Sequence, residues 1–407
     1  MTRSLRLDLF CRVVDNYGDI GICWRLARQL HAEHGVAVTL WVDDLTSFQR
    51  MCPDVVVGAA EQIVANVRVR HWASQDDAFS PADIADIVIE FFACDIPPAY
   101  IAAMAQCMPR PVWLNLEGLT AEEWVEGCHT LPSMHPQLPL TKYFFFPGFT
   151  AKTGGLLREA TFIDARRAFQ SDPAAQAAFL ARFGVTAREM QATKVSLFCY
   201  PQAPVTALLQ AWRDGQDPVL CLVPEGVATD AVGPFIGTHG ALTVRVLPFV
   251  PQPDYDRLLW ACDLNLVRGE DSFVRAQWAG KPFIWHIYHQ DDNLHHVKLR
   301  AFLARYGNAA NAADTAHPAD AANAADAADA ADAAVAASPA VTAFSLAWNS
   351  VDTGSAPDWP ALSRALLADA AGIAARADAW QQEMTEYGDL AGNLLDFACS
   401  LRTKTLI

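Results

Sequence analysis

The sequence predicts an α/β protein made of two doubly wound domains, each a mostly parallel sheet flanked by helices. Three observations lead there. The chain has 407 residues, more than a single hydrophobic core usually fills. Short apolar runs alternate with amphipathic helical stretches, the rhythm of β-α-β units. That rhythm occurs twice, before and after a charged, Ala-rich helical stretch ending at Gly184. Two such series imply two domains facing each other across a cleft.

Taken in order, the first series has apolar runs at residues 7–14, 36–42, 87–92 and 112–116, with helical stretches at 22–34 and 101–108. The Ala-rich helix covers 165–183. The second series places strands or helices at 195–200, 205–212, 219–223, 242–250, 258–262, 264–267, 273–278 and 283–288. Between 308 and 340 the sequence collapses into Ala-Ala-Asp repeats without a Lys or Arg, which offer no face to pack. This reads as an insert. Helical patterns return at 359–384 and 390–401. The expected domains are therefore 1–183, 184–385 carrying the insert 308–340, and a terminal helix at 386–407.

Composition narrows the function. Hydrophobic residues make up 52% and charged residues 19% of the chain, and 12 Trp with 21 Phe supply core and pocket material. A net charge of −16 argues against a nucleic-acid partner, because phosphate backbones demand clustered cations. Arg6 and Asp8 interrupt the apolar start before it forms a signal-peptide core, and no run approaches membrane-spanning length. The ten cysteines contain no Cys-x-x-Cys pair and mostly sit in apolar runs. Free thiols and a cytoplasmic location are expected, with no membrane partner.

Two constellations carry chemistry. Asp15-Asn16-Tyr17-Gly18-Asp19-Ile20-Gly21 leads from the first strand toward the first helix, the edge at which open α/β sheets bind ligands. Its two carboxylates could hold and deprotonate a nucleophile, while the glycines allow close backbone approach. Arg268-Gly269-Glu270-Asp271-Ser272 follows a strand and opens a helix in the second half, a start suited to a diphosphate without a metal. The same residue types also serve as plain turn and cap residues. Phe198, Tyr200, Phe249, Gln252 and Tyr255 cluster at strand ends and suit a nucleobase, and Tyr288 ends the strand 283–288. His286, His289, Asp291, Asp292, His295 and His296 match no established metal spacing, so no metal is expected. Walker A, Gly-x-Gly-x-x-Gly and Gly-x-Ser-x-Gly motifs are missing from the sequence.

The opening Leu9-Phe10-Cys11-Arg12-Val13-Val14-Asp15-Asn16-Tyr17-Gly18-Asp19-Ile20-Gly21, continuing to Ala27, closely resembles the elongation factor P arginine rhamnosyltransferase family, EarP. So do Pro147-Gly148-Phe149-Thr150 through Leu156, Leu247-Pro248-Phe249-Val250-Pro251-Gln252, and Val267 through Gln277. The Ala-Asp tract is the one departure. The resemblance implies a GT-B glycosyltransferase fold with two Rossmann-like domains. It implies an inverting, metal-independent transferase that needs no cofactor, takes dTDP-β-L-rhamnose as donor and modifies an arginine of translation elongation factor P. By analogy with such transferases, the terminal helix should pack back on the first domain.

Residue by residue, Asp19 matches a general base or guanidinium-orienting acid, Asp15 its acidic neighbour, and Glu270 a further essential carboxylate. Phe198, Tyr200, Phe249 and Gln252 match the nucleotide pocket, Asp271 and Ser272 the ribose and diphosphate positions, and Gly18 a place close to the sugar. Asn16, Tyr17, Tyr255, Arg268, Gly269 and Tyr288 complete the expected substrate-binding set. Which acid takes the proton stays open. The competing readings are a GT-B enzyme with another acceptor, a nucleotide-sugar epimerase, and a non-catalytic module that binds elongation factor P.

Overall fold

The computed structural model describes residues 4–15, 17–72, 78–308 and 338–405. The chain divides into two compact units, one comprising Met1–Ala160 with Met384–Ile407 and the other Thr161–Glu383.

The first unit holds eight strands: β1 (Arg6–Cys11), β2 (Ala37–Val42), β3 (Glu61–Val64), β4 (Val67–His71), β5 (Ile87–Phe91), β6 (Val112–Leu116), β7 (Pro132–Met134) and β8 (Thr141–Phe145). Their spatial order is β3-β4-β2-β1-β5-β6-β8-β7, parallel except for the β3–β4 and β7–β8 hairpins. The interior strands β5 and β6 are buried along their whole length, as parallel strands covered on both faces must be. One face packs on the helix Gly18–His34 through Ile20, Cys23, Leu26 and Leu30. The other is aromatic, with Phe10 stacked on Trp41 at 5.3 Å and edge-on to Tyr100 at 5.0 Å. The edge hairpins escape the apolar-run reading because they are short and carry polar residues such as Glu61, Arg68 and Arg70.

The terminal helix Leu390–Thr405 belongs to this unit. It places Leu390, Leu394, Leu395 and Ala398 in the same core as β1 and sets Phe397 edge-on to Tyr143. Asn393 Nδ2 donates to the Gly154 carbonyl at 3.1 Å, fastening the helix to a segment 239 residues earlier.

The second unit holds β9 (Thr193–Leu197), β10 (Val219–Pro224), β11 (Gly237–His239), β12 (Leu242–Leu247), β13 (Leu264–Arg268) and β14 (Phe283–His286). The order is β11-β12-β10-β9-β13-β14, with only β11 antiparallel. Residues 161–183, assigned from the sequence to the first domain, lie here instead. The reason is packing: Phe162 meets Trp260 edge-on at 5.1 Å, and the Arg275 guanidinium lies 3.9 Å from the Phe162 ring centre. Arg275 is itself buried and forked onto Asp256 through two hydrogen bonds of 3.0 and 2.9 Å. Removing one partner of such a pair would leave a buried charge uncompensated, a cost of about 3–5 kcal/mol.

Two long helical expectations each divide. The stretch 165–183 becomes Phe162–Gln170 and Pro173–Ala181, because the Asp172 carboxylate caps the Ala174 and Ala175 amides while Pro173 occupies the first helical position. The stretch 359–384 becomes Trp359–Ala368 and Ala370–Glu386. Of the predicted insert, residues 309–337 lie outside the described residues.

In both sheets the strand order reverses at one point. Successive connections run from β1 outward to β2 and return to β5 on the other side; likewise β9 leads to β10 and the chain returns to β13. The carboxyl ends of the strands beside such a reversal are where open α/β sheets leave room for a ligand.

Candidate functional site

The sequence-predicted residues fall into two groups, one in each unit, and both follow strands at the points of reversal.

In the first unit β1 ends at Cys11 and the helix begins at Gly18, four residues earlier than the apolar pattern suggests. Asp19 therefore stands in the first helical turn, not in the preceding loop. Its Oδ2 accepts the amide hydrogens of Val14 at 2.7 Å and Asp15 at 2.8 Å, closing the turn from inside the helix. Asp19 is only 4% exposed, and burial raises its carboxyl above the usual aspartate range. The two amide bonds pull it down, and the charge of Asp43 adds to the rise.

Asp15 is half-buried, and its carbonyl accepts the Gly18 amide at 2.7 Å. A Cβ on Gly18 would meet Asp15 Oδ2 at 2.9 Å, too close for any larger residue without moving that carboxylate. Tyr17 occupies the cap position and its hydroxyl accepts from Arg50 Nη1 at 3.1 Å. Asn16 lies outside the described residues.

Asp43 escaped the sequence reading. It stands just beyond β2 at the same sheet edge, where its Oδ1 accepts the Val13 amide at 2.9 Å. An acid directly after the apolar run 36–42 was the available signal.

In the second unit the turn at the end of β13 carries Arg268, Gly269, Glu270, Asp271 and Ser272. Gly269 adopts φ +61°, in the left-handed region that favours glycine, and its carbonyl accepts the Trp285 indole N–H at 2.7 Å. The helix Asp271–Trp278 follows, with Glu270 at the cap position and no side-chain cap on its first turn. Ser272 turns its hydroxyl back onto the strand end, donating to the Arg268 carbonyl and accepting the Arg268 amide at 3.0 Å. The expectation that Ser272 binds diphosphate thus meets a hydroxyl already engaged in closing the turn.

Arg268 is the hub of the aromatic cluster. Its guanidinium lies 4.3 Å from the Phe198 ring centre and 4.9 Å from that of Tyr200, while Nη1 donates to the Cys199 carbonyl at 3.1 Å. Tyr200 also meets Tyr288 edge-on at 5.6 Å, and Phe198 meets Tyr255 at 5.8 Å. The Tyr255 hydroxyl is buried, and desolvation holds its pKa well above the ordinary value. Phe249 is 40% exposed at the end of β12, and Gln252 opens the next helix with its amide 3.5 Å from Asp271 Oδ2. Aromatic rings, a guanidinium and an amide thus stand near the start of the helix Asp271–Trp278, groups of the kind that can hold a nucleoside diphosphate.

The histidine run behaves as a polar turn entering the helix Leu294–Asn308. His295 lies 4.5 Å from His289 and 4.1 Å from His296, ring centre to ring centre. Among the described residues no group of three or more His, Cys, Asp or Glu side chains is arranged to hold a metal ion, and no helix is long and apolar enough to cross a membrane.

Comparison with known proteins adds independent findings. Residues 7–334 match the family model described as Elongation-Factor P (EF-P) rhamnosyltransferase EarP. A protein-arginine rhamnosyltransferase of Pseudomonas aeruginosa is 46% identical over 403 residues, covering 96% of this chain and 98% of the relative. One from Pseudomonas putida is 54% identical over 309 residues, covering 74% of this chain and 81% of the relative. A solved structure from work on EarP-mediated arginine glycosylation of translation elongation factor EF-P superposes with a TM-score of 0.61 at 34% identity, covering 97% of this chain and 99% of that one.

Proposed function

The chain belongs to the EF-P rhamnosyltransferase family EarP, and from that premise we propose that it transfers L-rhamnose from dTDP-β-L-rhamnose to an arginine of elongation factor P in the cytoplasm, with inversion at the anomeric carbon. The observation that carries the reading is the pairing of the family match with two unlike turns at the reversal points of two sheets. One turn is acidic. The other holds a cation among aromatic rings.

An arginine side chain is protonated at neutral pH and nucleophilically poor. Carboxylates can position it, localise its charge and accept a proton as the new C–N bond forms. The Asp15–Asp19 turn supplies two of them, and Asp43 adds negative potential beside Asp19. Because Asp19 Oδ2 is committed to two backbone amides, proton acceptance falls to its other oxygen or to Asp15. Partial desolvation, which raises the basicity of Asp19, favours that role.

In the second unit Phe198, Tyr200 and Phe249 offer faces for the thymine ring and Gln252 an amide for its edge. The amides opening the helix Asp271–Trp278, with Arg268 nearby, would stabilise the departing diphosphate without a divalent ion. Attack by the guanidine nitrogen on C1 forms the C–N bond while the C1–O bond to phosphate breaks. The bonding electrons leave with dTDP, and the guanidinium proton passes to a carboxylate. Glu270, at the cap of the helix Asp271–Trp278, is assigned to this reaction as the position that matches a further carboxylate of the family.

The test is intact mass spectrometry of elongation factor P after incubation with the protein and dTDP-L-rhamnose in EDTA, with Asp19→Asn as control. A gain of one deoxyhexose that disappears in the control is expected. An unchanged acceptor mass with folded protein would overturn the assignment, and consumption of the donor without acceptor would indicate an epimerase.

A further inference from the structure

Several of the pocket residues described above sit on two segments, one after β9 carrying Phe198 and Tyr200, the other at the end of β13 carrying Arg268 to Ser272. Sheet pairing reaches the start of the β9 loop, where the Phe198 amide donates to the Leu266 carbonyl at 2.9 Å, and the Arg268 side chain crosses to the Cys199 carbonyl at 3.1 Å. A residue on the neighbouring strand β14 contacts both segments as well. His286, the last residue of β14, lies opposite Arg268 in the parallel register. Its Nδ1 accepts the Tyr200 amide hydrogen at 3.1 Å, and its carbonyl accepts the Gly269 amide hydrogen at 3.2 Å.

The ring is buried, at 6% exposure, edge-on to Tyr200 at 5.5 Å and 5.8 Å from Trp348. Building on the donor site proposed above, we propose that His286 is a positioning residue of the donor pocket: its ring nitrogen and its carbonyl set the spacing between the β9 and β13 loops that a nucleoside diphosphate must bridge.

The chemistry requires a neutral imidazole. Nδ1 faces an N–H and so must present a lone pair, which places the ring proton on Nε2. The Arg268 guanidinium from β13 and His295 from the helix Leu294–Asn308 favour that state, because both disfavour a second positive charge beside them. Burial and these charges hold the imidazole pKa down to about 4. An imidazolium there would oppose two donors across the Tyr200 contact and add a second cation beside Arg268.

Asparagine carries its amide oxygen at the position of the imidazole Nδ1, so His286→Asn preserves the acceptor, whereas His286→Leu removes it with similar apolar bulk. The experiment is titration calorimetry with deoxythymidine diphosphate, alongside steady-state kinetics. Wild-type protein should bind dTDP. His286→Leu should bind it more weakly by on the order of tenfold, the effect of stranding one buried amide. His286→Asn should recover most of that loss. The KM for the donor should rise in His286→Leu while kcat at saturating donor and the KM for elongation factor P stay unchanged.

If wild-type protein fails to bind dTDP, the donor-site reading fails. If it binds and folded His286→Leu binds equally well, or His286→Asn is as weak as His286→Leu, the positioning role is overturned. Should His286→Leu not fold, His286→Gln, whose amide oxygen lies one methylene further out, replaces it. Equal dTDP affinity of His286→Gln and His286→Asn would then overturn the proposal, and tighter binding by His286→Asn would support it.

Discussion

The turn after β1 and the turn after β13 solve one structural problem with different closing groups. Each leaves a buried parallel strand at a reversal point, and each is closed by a side chain in the first helical turn that reaches back to the backbone before the helix. In the first unit the closing group is the Asp19 carboxylate, which gathers two amide hydrogens. In the second it is the Ser272 hydroxyl, which both donates to and accepts from Arg268. A carboxylate closes the turn while keeping a negative charge at the sheet edge beside Asp43. A hydroxyl closes it without adding charge to a turn that already carries Arg268, Glu270 and Asp271. One loop is thereby suited to a guanidinium, the other to a diphosphate.

Breaking the acidic turn should have the largest effect. Asp19→Asn keeps an oxygen for the Val14 and Asp15 amides but removes the carboxylate proposed to take the proton, so rhamnosyl transfer should fall by roughly 10²–10⁴-fold, read by mass spectrometry of the acceptor. Melting temperature and dTDP affinity should change little, and a parallel loss of dTDP binding would show that the two turns are not functionally separate.

Breaking the cationic turn comes next. Arg268→Ala removes the charge over Phe198 and Tyr200 and should raise the donor KM by about 10–100-fold while the acceptor KM holds, measured by initial rates with each substrate varied. If kcat fell instead with an unchanged donor KM, Arg268 would belong to the chemical step.

The pH profile sharpens the same contrast. Burial raises the Asp19 carboxyl above 3.8, and the proposed base must be the carboxylate to accept a proton. The acid limb of kcat/KM should therefore lie at higher pH than an exposed aspartate would give, with activity lost as pH falls through that raised value. In Arg268→Ala the limb should stay in place, because Arg268 belongs to the other turn.

The smallest effect is expected from Ser272→Ala. Losing the hydroxyl costs the two contacts to Arg268 and should destabilise the protein by about 1–2 kcal/mol in chemical denaturation. Ser272→Thr should restore most of it. A large loss of donor affinity in Ser272→Ala without destabilisation would return the hydroxyl to the ligand.

Much of this architecture is written locally. The apolar runs at 87–92 and 112–116 lie within two residues of β5 and β6, since parallel strands buried on both faces must be apolar throughout. Gly18, Gly269 and the acids and aromatics around them were visible as residue types at strand ends. The hairpins were not, because three to five half-exposed residues carry little pattern.

The tertiary structure decided what each side chain is free to do. That Asp19 spends one oxygen on its own loop, that Ser272 closes a turn, and that Asp43 joins the acidic site all depend on atoms brought together by sheet pairing or helix onset. The placement of residues 161–183 in the second unit depends on Phe162 finding Arg275 and Trp260. The sequence by itself determined which elements form and which chemical groups stand at their ends, because burial periodicity and turn chemistry are local. Distances between groups far apart in the chain arise only when strands pair, and His286 reaching Tyr200 across 86 residues is the plainest case.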